Sequence, residues 1–186
     1  TNTILTGDIH TANQMAAGLA TRNQAKTFIY AYLYGAGDEK IGLIAGGGRK
    51  QGKKLKEAFI EGTPALKTLK ENVAQSAAKG YITGLDGRKV FIRSEHAALN
   101  SLLQSAGALV MKQALVILDD YATRWGLDYK FVGNVHDEFQ VEVKEEHAER
   151  FGALAASCIE AAGIHFKLRC PLAGEYNVGL SWAETH

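Results

Sequence analysis

Through the first eighty residues, apolar positions recur every three or four places, the spacing of one buried helix face. That period predicts a short helix over residues 8–19 capped by Asp8, and a second from about Thr21 to Leu33. Two more are expected over 50–60 and 64–78, the last with Pro64 in its first turn. Glycines at 35, 37 and 46–48 interrupt the pattern. At Gly80 the period changes. Residues 81–85 and 88–93 read as β segments joined by Asp86-Gly87, the signature of a type I′ hairpin. Ser94 is placed to cap a long helix reaching about Trp125, with Leu99, Leu102, Leu103, Ala106, Leu109, Val110 and Ala114 as its buried positions. Beyond Gly126, residues 129–135 and 139–143 form two further β runs, in which Phe139, Val141 and Val143 alternate with Gln140 and Glu142. The turn His136-Asp137-Glu138 connects them. A helix over 145–162 and short strands over 166–169 and 176–179 complete the expectation. No internal repeat is visible. The fold class is α+β, with a helical part over 1–80 and a mixed part over 81–186 built from β-hairpins and a long helix.

Composition supports a folded chain. Of 186 residues, 46% are hydrophobic and 22% charged, which is the balance of a globular protein and excludes extended disorder. A net charge of +1 gives no global pull on nucleic acid. The charges are uneven, however: Arg49, Lys50, Lys53, Lys54 and Lys56 crowd together behind Gly46-Gly47-Gly48. Such a run is either a solvated helix face or a track for a phosphate backbone. Cys158 and Cys170 lack metal-ligand spacing, which fits a reducing compartment. No charged-apolar-small leader opens the chain, and no run approaches the roughly 20 apolar residues that span a bilayer. The expectation is a soluble protein of a bacterial or phage-infected cytoplasm, without a membrane partner.

The candidate chemistry concentrates on the second helix. At about 100° per residue, Arg22, Lys26, Tyr30 and Tyr34 share one stripe. Cations at one end and flat rings at the other suit a nucleoside triphosphate, whose phosphates need fixed positive charge and whose base and sugar need a planar wall. An amphipathic helix with core tyrosines and solvated cations has the same spacing. Asp137 lies in a tight turn between strands, where a carboxylate can project clear of the sheet toward a hard cation. An aspartate in a hairpin turn is also ordinary turn chemistry.

Arg22, Lys26, Tyr30, Tyr34 and Gly35 resemble motif B, the fingers helix of family A DNA polymerases, and the surrounding words are most similar to the phage replicative enzymes. Gly7-Asp8-Ile9-His10-Thr11, His96-Ala97-Ala98-Leu99-Asn100 with Gln104, and Val135-His136-Asp137-Glu138, which resembles motif C, follow in the family's order. The likeness runs from about residue 7 to the last residues of the chain.

The resemblance implies a DNA-directed DNA polymerase that transfers nucleotides by two-metal catalysis, in which magnesium ions about 3.5–4 Å apart bridge the reacting groups. It makes Asp137 a metal ligand, Glu138 an accessory acid and His136 a contact to the primer terminus. His10, Arg22 and Lys26 become phosphate ligands, Lys26 nearest the bond that breaks. Tyr30 lies against the sugar and base, Tyr34 stacks where the templating base enters, and Asn100 and Gln104 touch the groove side of new base pairs. Read without the family, His10 and His96 are ordinary polar helix residues, and Asn100 with Gln104 an internally satisfied amide pair.

Three departures matter. No segment resembles motif A, the strand that supplies the other bridging aspartate. In the family that strand lies shortly before the counterpart of Gly7-Asp8-Ile9-His10, so the chain is expected to be the C-terminal fingers and palm portion of a polymerase. On this reading the thumb and any exonuclease are missing, the C-terminus is a natural end, and the fragment is inactive alone. His96 stands where many bacterial repair members carry arginine. The connection from Pro64 to Gly80 is short beside some phage members. The expected partners are primer-template DNA, deoxynucleoside triphosphates and an upstream segment carrying motif A and the thumb. The alternatives are a split-polymerase subunit and a noncatalytic module that binds nucleotide or primer-template.

Overall fold

The computed structural model of this chain describes residues 7–186, so the first six residues of the expected helical part lie outside it. Residues up to Leu103 form one compact unit and those from Gln104 onward another. The division falls within the long helix, downstream of the change from helices to strands at Gly80.

The first unit opens with α1 (Ile9–Ala17) and α2 (Arg22–Leu33). Asp8 caps α1, its carboxylate accepting the His10 N–H at 2.9 Å. Thr21 and Gln24 close a reciprocal capping box on α2. That helix stops in a Schellman motif: the Gly35 N–H donates to the Tyr32 carbonyl, the Ala36 N–H to the Ala31 carbonyl, and Gly35 takes φ +78°. Next come α3 (Asp38–Ile44), which the sequence pattern did not reveal, and α4 (Arg49–Gly62). Seven residues between glycine clusters are too few to show a helical period. α3 and α4 meet backbone to backbone, since a methyl group at Gly42 would land on the Gly48 carbonyl and one at Gly52 on the Asp38 carbonyl. The core beneath α2 holds Ala25, Phe28, Tyr32, Ile41 and Phe59. The Phe59 ring meets those of Phe28 and Tyr32 edge-on, each at 5.2 Å.

α5 (Pro64–Ala77) brings Val73 and Ala77 to a second core with Ile82, Ala98 and Leu99. β1 (Tyr81–Thr83) and β2 (Lys89–Phe91) pair antiparallel. Their turn is not type I′, which needs positive φ at both central residues. Gly87 has φ +82° and Asp86 does not share that region. Instead the Gly87 N–H donates to the Gly84 carbonyl, the Gly84 N–H donates to the Arg88 carbonyl, and the Asp86 carboxylate accepts the Arg88 N–H. This is a three-residue loop closed by a glycine bulge.

A 3₁₀ turn over Glu95–Ala97 precedes α6 (Ala98–Arg124), and Ser94 makes no side-chain capping bond. Of the positions expected to be buried on α6, Leu99, Leu109 and Ala114 are; Leu102, Ala106 and Val110 are half-buried and Leu103 is exposed. A 27-residue helix that takes part in two cores meets different neighbours along its length, so one regular stripe does not describe it. A further correction concerns bilayer-length runs. The segment Glu95–Arg124 is long and apolar enough to cross a membrane by length and composition. Its Ala98, Leu99, Leu109, Met111, Ala114, Leu118 and Ala122 are spent on protein cores.

In the second unit, β3 (Tyr129–Val135) pairs antiparallel with β4 (Glu138–Val143) from Tyr129 opposite Val143 to Val135 opposite Glu138. Val132 is the extra residue of a bulge between the Phe131 and Gly133 pairs. Phe139, Val141 and Val143 face a core made with Leu118 and Ala122 of α6 and with Phe151, Leu154, Ala155 and Cys158 of α7 (Ala148–His165). Strand alternation sends Glu138, Gln140 and Glu142 to the opposite face. The expected strands at 166–169 and 176–179 do not form. Phe166 ends α7, and Tyr176 instead lays its ring against Gly152 and donates its hydroxyl to Glu149 at 3.0 Å. A single helical turn, α8 (Trp182–Thr185), follows.

Candidate functional site

α2 presents two chemically distinct faces. Ala25, Phe28 and Tyr32 are buried, while Arg22, Lys26, Tyr30 and Tyr34 all lie exposed along the other side. The tyrosines of the stripe are therefore surface groups and not core. The Tyr30 and Tyr34 rings stack at 6.3 Å with 27° between their planes, and the His10 ring of α1 lies 6.5 Å from that of Tyr30. Lys26 sits between the cationic and aromatic ends with no polar partner among the described residues.

Arg22 is engaged. Its Nε donates to Asp8 Oδ2 at 2.5 Å and its Nη2 to Oδ1 at 3.4 Å, while the same carboxylate accepts the Thr11 hydroxyl at 3.0 Å. The bond from Arg22 holds the Asp8 carboxyl far below the ordinary aspartate range, and Asp8 in turn raises Arg22. Asp8 thus caps one helix and aims the first cation of the next. Only the cap is legible in the sequence, because a contact 14 residues apart leaves no periodic signal. The Nδ1 of His10 is buried without a hydrogen-bond partner among the described residues, and so is the Oδ1 of Asn100. Asn100 is half-buried near the start of α6, so the satisfied amide pair is not what forms; Gln104, a turn further along that helix, is exposed.

Two other features of this unit resolve simply. His96 is exposed, and its backbone carbonyl lies where a Cβ on Gly35 would stand at 2.9 Å. In the basic run, Arg49, Lys50, Lys53 and Lys54 are exposed, whereas Lys56 donates to the Ala36 carbonyl at 2.5 Å and to Asp38 at 2.9 Å. Lys56 fastens the loop after α2 onto α4. That bond also pulls the Asp38 carboxyl below its usual value, with Arg49 and Lys53 adding to the effect.

The turn expected to match motif C lies in the second unit and consists of His136 and Asp137 alone, since Glu138 already pairs with Val135. His136 takes φ +53°, an uncommon conformation for a residue with a Cβ. Asp137 is exposed and has no polar partner among the described residues. Its neighbour differs completely. Glu138 Oε1 accepts Gln140 Nε2 at 2.6 Å and the Trp182 indole N–H at 2.8 Å, and Oε2 lies 2.7 Å from His186 Nδ1. Those donors, His186 foremost, hold the Glu138 carboxyl below its ordinary value. An ionised carboxylate only accepts, so Nδ1 of His186 carries the proton. Nothing local to this turn signals Trp182 and His186, which lie 44 and 48 residues beyond Glu138.

Among the described residues no group of three or more His, Cys, Asp or Glu side chains could hold a metal ion. The donor chemistry available at the turn is one free carboxylate, Asp137, which fits a single ligand of a hard cation.

Comparison with known proteins identifies the family. Residues 5–184 match the family model described as DNA polymerase family A. The chain is 45% identical to the DNA-directed DNA polymerases of Enterobacteria phage T3 and Escherichia phage T7, covering 98% of this chain and 29% of each of those proteins. It is 30% identical to DNA polymerase I of Bacillus caldotenax over 87% of this chain and 20% of that one. The chain thus spans under a third of the length of these relatives. A solved structure, the POL domain of Pol1 from M. smegmatis in complex with DNA primer-template and dNTP, has the same fold. It superposes with a TM-score of 0.73 at 22% identity, covering 84% of this chain and 31% of that one. With a family model matching nearly its whole length, the chain belongs to DNA polymerase family A.

Proposed function

We propose that this chain is the fingers and much of the palm, within residues 1–80 and 81–186, of a DNA-directed DNA polymerase working in a bacterial or phage-infected cytoplasm. The observation that carries the reading is the exposed face of α2 with the His10 ring of α1 beside it: Arg22 and Lys26, with His10, offer phosphate ligands and the stacked Tyr30 and Tyr34 offer a planar wall. Arg22 keeps free N–H groups for phosphate while Asp8 fixes its direction. Lys26 meets the phosphates nearest the bond that breaks, where its charge counts most as negative charge redistributes. Tyr30 bounds the sugar, Tyr34 stands where the templating base enters, and Asn100 and Gln104 reach the groove side of the new base pairs. His136 steadies the primer terminus.

Asp137 holds magnesium, with Glu138 as the accessory acid beside it. The two ions of the complete enzyme supply charge neutralisation at the reacting oxygens. The second carboxylate and the thumb come from an upstream polymerase segment carrying motif A.

The test is complementation. The chain is mixed with an upstream segment that carries motif A, and template-directed extension of a primer is followed with magnesium. Extension that needs both parts, and that Asp137→Asn abolishes while primer-template binding persists, supports the reading. Binding of primer-template without extension would make the chain a noncatalytic module.

A further inference from the structure

Asp137 and Glu138 are adjacent carboxylates at one turn, yet among the described residues only Glu138 is tied down by hydrogen bonds. Glu138 has both oxygens occupied by three side chains, and two of these belong to the last five residues of the chain: the indole of Trp182 at 2.8 Å and the imidazole of His186 at 2.7 Å. A parallel link lies next to them, where Thr185 donates its hydroxyl to Gln140 Oε1 at 2.9 Å, and Gln140 itself donates to Glu138 at 2.6 Å. The terminal segment is also tied to itself, since the Leu180 N–H donates to Glu184 Oε2 and Asn177 Nδ2 to the Thr185 carbonyl. The turn it grips has a reason to need support. With φ +53° at His136, the two-residue connection is held in a sparsely populated conformation, which persists only where its flanks are fixed. Val135 is held by its pairing across the hairpin; Glu138 is held by the clamp.

We infer that Trp182 and His186 are positioning residues for the catalytic turn: by clamping Glu138 they fix where Asp137 projects, and they make Glu138 an anchor of that turn with hydrogen bonds on both of its oxygens. The inference rests on the polymerase reading for its catalytic consequence but not for the clamp itself, so the test has two arms.

In the first arm the chain is used as it is. It contains two tryptophans, Trp125 and Trp182, so a ¹⁵N-labelled sample gives two indole N–H signals, and Trp182→Phe assigns them. Glu138→Ala should move the Trp182 signal toward the position of a solvated indole and leave Trp125 unchanged. A Trp182 signal already at the solvated position, or indifferent to Glu138→Ala, overturns the clamp. In the second arm the complemented polymerase is assayed with Trp182→Phe, which keeps the ring and loses only the donor, and with His186→Ala and His186→Asn. Losing one bond to a charged acceptor should lower the maximal rate about tenfold, with nucleotide KM and primer-template affinity unchanged. His186→Asn, which retains a donor, should recover most of what His186→Ala loses. Equal losses in affinity and rate, or no recovery by asparagine, overturn the positioning role. If the unsubstituted assembly makes no DNA, the polymerase reading has failed while the indole arm still decides the clamp.

Discussion

Replacing Gly35 with alanine separates two physical costs at the end of α2. Gly35 has φ +78°, where an L-residue with a Cβ loses about 1–2 kcal/mol relative to glycine. The new methyl would also stand 2.9 Å from the His96 carbonyl oxygen, and a backbone atom cannot swing aside as a side chain would. Overpacking of this kind typically costs about 1–3 kcal/mol more. Gly18 supplies the control. It ends α1 in the same motif at φ +64°, but a methyl there would meet nothing within 4 Å. Gly18→Ala should therefore lose about 1–2 kcal/mol and Gly35→Ala about 2–5 kcal/mol. Any restriction of the unfolded chain is the same for both and cancels in the difference. Urea denaturation followed by circular dichroism measures each, provided the slopes match. A third variant, Gly35→Asn, tolerates the left-handed conformation yet keeps the Cβ contact, so it should fall between them. If Gly35→Ala costs no more than Gly18→Ala, the approach of His96 to the end of α2 is not a close one, and the argument is refuted.

Lys26→Ala in the complemented enzyme should depress turnover far more than primer-template binding; a pure rise in nucleotide KM would restrict Lys26 to ground-state contact. Tyr30→Phe should make the enzyme discriminate against dideoxynucleotides while sparing normal synthesis, because the phenolic hydroxyl can fill the place of a missing 3′-hydroxyl. A competition on one primer reads this directly, and equal discrimination by both forms would remove Tyr30 from the sugar. The Asp8 carboxyl is held below its ordinary value of 3.8, so its contribution to stability is complete above that pH and is lost as pH falls toward the depressed value. The stability advantage over Asp8→Asn should accordingly shrink on acidification from pH 4 to about pH 2, and a constant difference would sever Asp8 from Arg22.

Local chemistry made much of this legible in the sequence. Asp8, Thr21 and Pro64 mark helix starts by mechanisms that operate within a few residues, and the alternation of Phe139, Val141 and Val143 identifies the strand face that meets the core. The stripe of α2 followed from helical geometry alone. What could not be read depended on partners far along the chain. Nothing near Asp38 announces α3, because that helix is held by glycine contacts with α4 and by Lys56. The type I′ expectation at Asp86-Gly87 failed because Asp86 turned its carboxylate to the Arg88 backbone and left only Gly87 in the left-handed region. Tyr176 looked like a strand residue and serves as a ring against Gly152. Glu138, read as the accessory acid beside Asp137, is bound by Trp182 and His186, which lie too far along the chain to be seen from the turn.

The backbone contact between α3 and α4 also has a bearing on how this protein can change over generations. Every single-residue replacement of glycine adds at least a carbon atom, and at Gly42 and Gly52 that atom has no vacant direction, since the obstructing groups are main-chain carbonyls whose positions no neighbouring side chain can adjust. The same helix carries Arg49, Lys50, Lys53 and Lys54 in open solvent, where packing imposes no such restriction. A saturation library of α4 should therefore divide sharply, with almost no survivors at Gly52 beside broad tolerance at Lys53 and Lys54. Drift in this part of the chain would alter its surface charge long before it altered the separation of the two helices.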